Sequence, residues 1–401
     1  MNNQQYISKA EACLPTGQEH ILEHLGTISE SAAKTLLGQI TAIDWSSLDN
    51  LVTPPNVTEV SPPDIVSLNQ RNELDCVERG IDAYQSGLVA SLIVAGGQGS
   101  RLGYEGPKGC FVLPELNCSI FEIHFTNHKN LCEKYNCAMP LLIMTGPQND
   151  AETKQFLSEH NYFGLDVDQV HFFSQASVPS IDESGRLVLA SEDSLLLNPN
   201  GHGGCVDALI HSGVLDSIMK AGVKFINYIQ VDNILSRLDD PFAIGLALER
   251  GLDAITKVVE KRDALERVGH LVKCEGKDQI VEYSSLSDTQ KARTNEHGEL
   301  LMRWANTAMH VWRAQFLRER GDSPLPYNRS APKAATVNLQ GHSEQVSVMK
   351  CERFIFDLLK FTDRAVGLEV LRVEEFAPVK NADGDDSPAT AVALYKNVLK
   401  S

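Results

Sequence analysis

Four short apolar runs, each closing on small or polar residues, restrict the fold of this chain more than any other feature. They are VASLIVAGG (89–97), MPLLIMTG (139–146), QVHFFS (169–174) and VKFINYIQVDN (223–233). Runs of this length without polar alternation read as strands covered on both faces. The stretches between them, 119–135, 150–160 and 205–221, carry helical spacing. Strand, loop and helix in repetition predict an α/β, Rossmann-like fold with a mostly parallel central sheet and helices on both faces. In such sheets ligands collect at the carboxyl ends of the strands. The polar endings of the four runs are therefore the places to look for chemistry.

The flanking regions follow other rules. Leu22, Leu25, Ile28, Ala33, Leu36, Leu37 and Ile40 recur at helical intervals, with Ser31 as a candidate cap. VTPPNVTEVSPPDI (52–65) holds two Pro-Pro pairs and marks a boundary. A helical pattern resumes over 69–87 and ends at Gly87, while Asp239 and Asp240 before Pro241 predict another helix start. After about 250, DAITKVVEK, RVGHLVKCEGKDQIVEYSSL and LLMRWANTAMHVW read as strands with turns at Gly276 and Gly298, a mixed-sheet extension. CERFIFDLLKF (351–361) fits a helix or a buried strand, and a short helical run follows NADGDDSP (381–388). The expected parts are a helical N-terminal region (1–87), a catalytic domain (88–365) and a short C-terminal segment (366–401).

Charge and cysteine usage narrow the class of partner. With 36 Lys plus Arg against 53 Asp plus Glu, the formal net charge is −17. That balance excludes generic nucleic-acid or membrane-surface binding, which requires a basic field. It leaves room for an anionic small ligand where a few cations converge. Nine cysteines without a C-x-x-C pair fit free thiols in a reducing cytoplasm, and no stretch reads as a signal or a membrane span. The expectation is a cytoplasmic protein.

LIVAGGQGSRLGYEGPKG (92–109) packs four glycines into eight positions directly after a strand. As a dinucleotide fingerprint, Gly97, Gly99 and Gly103 are spaced one residue too far, and no Gly-Lys-Ser/Thr exists for a Walker loop. A ligand-free tight turn would need fewer glycines. The pattern suits a phosphate loop: Gly96, Gly97 and Gly99 let backbone amides approach oxygens, Arg101 offers a fork, and Lys108 after Pro107 offers a point charge.

This loop resembles the signature of the sugar nucleotidyltransferases, and later segments narrow the resemblance to the UDP-sugar pyrophosphorylases. FFSQASVPSI (172–181) is similar to their uridine-reading segment, NPNGHGG (198–204) to the loop around uracil and sugar, and YIQVDNIL (228–235) to the strand-end V-D-N. IVEYSSL (280–286), RFIFDLL (353–359) and LRVEEFAPVKNADGDDSPATA (371–391) resemble the N-acetylhexosamine branch. The resemblance implies that Gly96 and Gln175 address uracil. Gly201, Glu282, Tyr283 and Asn306 would line the sugar pocket, with Phe354 and Phe356 as its apolar wall. Asp232 would hold Mg²⁺, and Arg101, Lys108 and Lys380 would handle phosphate charge, with Lys350 a further candidate. His202 stands where that branch usually has Asn, which is closer to the UDP-glucose and broad-specificity relatives. Ser285 replaces the usual Glu, TAMHVW matches only loosely, and the C-terminal part is short.

The implied reaction joins UTP and a sugar 1-phosphate, N-acetylglucosamine 1-phosphate first, into a UDP-sugar and pyrophosphate. Glucose 1-phosphate or a wider range of sugars is the alternative, and a non-catalytic UDP-sugar-binding protein a further one. The attacking phosphate oxygen is already ionised near neutral pH, so no general base is required. His20 with His24 and His124 with His128 are spaced to face one way on a helix but lack a third ligand, and are expected to be structural.

Overall fold

The computed structural model describes residues 3–43, 45, 60–321, 325–339 and 342–400. Most of the Pro-Pro boundary, 52–59, lies outside the described residues. The chain forms two compact units, each assembled from three separate segments. One comprises Met1–Thr53, Gln175–Gly204 and Pro324–Ile355; the other comprises Pro54–Ser174, Cys205–Ser323 and Phe356–Ser401. The sequence reading draws continuous ranges, 1–87, 88–365 and 366–401, where the packing joins discontinuous ones.

The second, sheet-bearing unit is built on a ten-stranded sheet. Its strands in chain order are β1 (Ile65–Val66), β2 (Val89–Val94), β3 (Leu141–Thr145), β4 (Val170–Ser174), β5 (Phe225–Gln230), β6 (Ala254–Glu260), β7 (His270–Cys274), β8 (Lys277–Val281), β9 (Trp304–Arg313) and β10 (Ala365–Glu369). They lie side by side as β1-β10-β6-β9-β5-β2-β3-β4, with the β7–β8 hairpin paired onto β9. β9 runs antiparallel to both neighbours, while the remaining pairs along the path are parallel. The four apolar runs supply the parallel block β5-β2-β3-β4, and β2, β3 and β5 are buried along nearly their whole length. Ile93, Ile143, Ile229 and Ile255 share one apolar core with Phe121 and Phe125 of the helix Ile120–Tyr135. The mixed-sheet extension is observed, with Gly276 and Gly298 at positive φ in its turns.

Local details depart from the sequence reading where one side chain decides. The helix Glu30–Ala42 is capped by Ser29, whose oxygen accepts from the Ala32 amide; Ser31 falls inside the first turn. The pattern over 69–87 breaks into Leu68–Glu73 and Val77–Gln85. Residues 351–361 resolve into a two-residue strand, Cys351–Glu352, and a 3₁₀ turn, Ile355–Phe361. Asp240 caps the helix Pro241–Arg250 as its Asp-Pro start predicts.

In the first unit, three helices pack apolar faces against short β-ribbons. Ile21, Leu25, Leu36 and Ile40 share a core with Val178, Leu195, Tyr327 and Cys351. The ribbons are Ser177–Pro179 with Leu197–Pro199, and Leu189–Ser191 with Ser194–Leu195.

Candidate functional site

The glycine bend leaves β2 and folds back on itself. The Gly99 amide donates to the Gly106 carbonyl at 2.9 Å and the Lys108 amide to the Gly97 carbonyl at 3.1 Å. A Cβ on Gly97 would meet nothing within 4 Å, so the backbone there is open to an approaching ligand. Gly99 has a different role from the one its spacing suggests. Its amide is already bonded, and a Cβ there would sit 2.7 Å from the Tyr104 ring. Asn149 ties the next strand end to this bend, accepting from the Gly146 amide and donating to the carbonyls of Ala95 and Gly97. Arg101 is exposed on the 3₁₀ turn Ser100–Leu102, whose Leu102 is buried in the core.

The bend delivers Lys108 to the end of β5. Its Nζ stands 3.0 Å from Asp232 Oδ2, joining two motifs 124 residues apart. Burial by itself would raise the Asp232 carboxyl. The charges of Lys108 and then Lys380 outweigh it and hold that carboxyl below the usual carboxylate range. Lys380 is half-buried, with Asp386 Oδ2 at 3.7 Å. Two cations, one ionised carboxylate and an open stretch of peptide backbone thus belong to the strand ends of a single unit.

The sugar-side candidates of this unit converge on the β7 and β9 ends. A Cβ on Gly269 would lie 2.9 Å from Glu282 Oε1 and 3.8 Å from Asn306 Cβ, so both side chains border that glycine. Asn306 Oδ1 accepts from the Ala308 amide at 3.0 Å, and the Asn306 backbone N–H donates to the Gly269 carbonyl at 2.8 Å. Tyr283 is half-buried at the start of a 3₁₀ turn.

Gln175, Gly201, His202, Lys350 and Phe354 belong to the other unit, whereas Phe356 is buried in the sheet-bearing one. The 198–204 loop interlocks with the 353–355 backbone. Gly203 donates to the Arg353 carbonyl and Arg353 to the Asn200 carbonyl, both at 2.8 Å. Gly201 has φ +82°, and a Cβ there would lie 2.5 Å from the Arg353 carbonyl oxygen. His202 accepts from the Ile355 amide at 3.2 Å and stacks on Phe354 at 5.3 Å. Gln175 is buried. The Lys350 backbone pairs with Ser330.

The four histidines are structural, as their lack of a third ligand suggests. His20 and His24 bond the carbonyls of Leu187 and Glu192. Buried His124 bonds the Val231 carbonyl, and buried His128 bonds Ser91 and the Met139 carbonyl. Burial pushes both of the latter rings down to about 4. Sequence reasoning missed Asn149 and Asn233. A signal existed for Asn233, since it adjoins Asp232 at a strand end. Asn149 announced itself only as a helix start.

The family pattern of the UTP–glucose-1-phosphate uridylyltransferases, UDPGP, matches residues 48–393. The chain belongs to that family. A UDP-N-acetylglucosamine pyrophosphorylase of Saccharomyces cerevisiae is 32% identical over 400 residues, covering 94% of this chain and 84% of that one. The human UDP-N-acetylhexosamine pyrophosphorylase-like protein 1 is 31% identical, covering 94% and 81%. Among solved structures, the uridine diphosphate N-acetylglucosamine pyrophosphorylase of Trypanosoma brucei, in complex with an inhibitor, superposes with a TM-score of 0.81. Its identity is 31%, covering 98% of this chain and 84% of that one.

As a UTP:sugar-1-phosphate uridylyltransferase, the enzyme forms a bond between a phosphate oxygen of the sugar 1-phosphate and the α-phosphorus of UTP. The bond from that phosphorus to the departing pyrophosphate breaks. The nucleophile arrives ionised, so the site needs cations and positioning, not a base. Lys108 stands beside Asp232 at the strand ends, and the four histidines are bonded elsewhere. Among the described residues no helix is long and apolar enough to cross a membrane.

Proposed function

We propose that this uridylyltransferase uses N-acetylglucosamine 1-phosphate, producing UDP-N-acetylglucosamine and pyrophosphate with the help of Mg²⁺. The contact between Lys108 and Asp232 carries the reading of the site. It brings a phosphate-loop cation and a strand-end carboxylate to one point, as handling a triphosphate requires. The names of the yeast and trypanosome relatives support the choice of sugar. Gly97 and Arg101 would receive the nucleotide's phosphates, with Gly96 and Gln175 reading uracil. Gly201, Glu282, Tyr283 and Asn306 would bind the sugar, Phe354 and Phe356 would supply apolar surface, and Lys350 would add charge.

Among the described residues no group of three or more His, Cys, Asp or Glu side chains could cage a metal. One ionised carboxylate beside phosphate oxygens suits Mg²⁺, a hard ion that shares its shell with substrate and water. Asp232 would hold it, and when bound it would neutralise charge on the phosphates. The nine free thiols support a cytoplasmic location.

His202, in place of the branch's Asn, favours a second reading with glucose 1-phosphate or several sugars as acceptors. Pyrophosphate release with UTP, Mg²⁺ and a panel of sugar 1-phosphates tests both. Preference for N-acetylglucosamine 1-phosphate is the expected result; equal or better turnover of glucose 1-phosphate would replace it with the second reading. Omitting Mg²⁺ should abolish release.

A further inference from the structure

Asn233 follows the carboxylate of the V-D-N ending and is almost fully buried, at 2% exposure. Both ends of its amide reach across to a segment more than a hundred residues away. Nδ2 donates to the Glu375 carbonyl at 2.8 Å, and Oδ1 accepts from the Ala377 amide at 2.8 Å. Oδ1 also accepts from the Leu235 amide at 3.3 Å. Next to this grip, the Val379 amide donates to the Asp232 carbonyl at 2.8 Å, and Asn233 forms a β-bridge with Pro378. Lys380 is the next residue along.

The same segment is held again through Glu375, whose carboxylate takes the buried Lys257 ammonium at 2.7 Å. Lys257 is also paired with Asp240 at 2.7 Å. Residues 375–379 are thus a strap fastened at its start by an ion pair and along its length by Asn233. Lys380 follows directly on this strap, its own amide donating to the Asp386 carbonyl at 2.6 Å and its Nζ standing 3.7 Å from Asp386 Oδ2.

We propose that Asn233 is a positioning residue for uridylyl transfer: its amide grips the Glu375–Ala377 backbone and so sets the place of Lys380, which follows the Val379 amide bonded to the Asp232 carbonyl. A carboxamide is required because one face must donate while the other accepts. Aspartate, of the same shape, keeps the acceptor and loses the donor. The inference rests on the proposed phosphate role of Asp232 and Lys380. Asn233 would touch no substrate and would act through the lysine.

A double-mutant cycle tests it. Asn233→Ala, Asn233→Asp, Lys380→Ala and the doubles with Lys380→Ala are assayed for kcat and KM by pyrophosphate release, with thermal melting confirming a folded chain. Asn233→Ala and Lys380→Ala should each lower kcat/KM by about 10–100-fold, the effect of a misplaced phosphate contact. In the Lys380→Ala background, Asn233→Ala should cost less than about threefold more, because its target is gone. Paired with Tyr283→Phe, a sugar-side change, it should multiply. Asn233→Asp should lie between wild type and alanine, and it serves as the single variant if alanine melts early. Full multiplication with Lys380→Ala, or unchanged kcat/KM in either Asn233 variant, would overturn the inference alone. Full activity of Lys380→Ala would instead overturn the reading of the site beneath it.

Discussion

The Lys108–Asp232 cluster and the loop around Gly201 are both motif regions, yet they rest on opposite kinds of physics. The first is made of charge: an ammonium 3.0 Å from a carboxylate whose ionisation two lysines secure. Around it the backbone is open, and Gly97 faces empty space. The second is made of shape. Gly201 and Gly203 press on the Arg353–Phe354 backbone, with two 2.8 Å hydrogen bonds closing the seam. A charge-built site should tolerate small changes of volume and fail when a cation is removed. A shape-built loop should do the reverse.

The largest effect is expected at Lys108. Lys108→Ala should lower kcat/KM by roughly 10³-fold, on the scale of losing an oriented charge in a reacting site, with little change in melting temperature. Lys108→Arg should not restore activity, because a planar fork cannot replace a point charge beside Asp232. Gly201→Ala should show the mirror image. With φ at +82° and no room for a methyl group, it should cost about 1–3 kcal/mol of stability, read by denaturant unfolding. A stable Gly201→Ala protein would break the contrast.

Acid should separate the regions next. Burial lowers the His128 ring to about 4 in the sheet-bearing unit, so below the unfolded value of about 6.5 the unfolded chain binds the extra proton. Stability should therefore fall as pH drops from about 6.5 towards 4, by on the order of 3 kcal/mol for this group. His128→Gln should flatten that slope in melts recorded across the window. Smaller still, Gly97→Ala should leave stability unchanged and raise KM for UTP about tenfold by obstructing close approach. At the bottom of the scale, His202→Asn should alter turnover only about threefold, since an amide oxygen can accept from Ile355 as the ring does.

Much of this was legible because it is local. The strands β2 to β5 follow from apolar runs, the Asp240 cap from its Asp-Pro sequence, and the turns at Gly276 and Gly298 from chain chirality. What escaped depends on partners distant in sequence. No spacing rule says that Lys108 meets Asp232, that Gly99 is small to admit Tyr104, or that Asn233 reaches residues 375–377. The Phe354 and Phe356 pair shows the limit most plainly. Two residues apart and read as one wall, they fall in different compact units, because alternating side chains take their neighbours from the tertiary fold. The two asparagines were overlooked for a related reason: their value lies in bonds to carbonyls and amides that sequence does not display.

The division of the first unit into three separate segments has a consequence for how the polypeptide emerges from a ribosome. Ile21, Leu25, Leu36 and Ile40 are translated early, yet Tyr327 and Cys351, which help enclose them, come some three hundred residues later. Until then these oily helices must wait only partly covered, so a nascent chain halted before Pro324 should be sticky and seek chaperones. For the same reason no single proteolytic cut can release either unit intact.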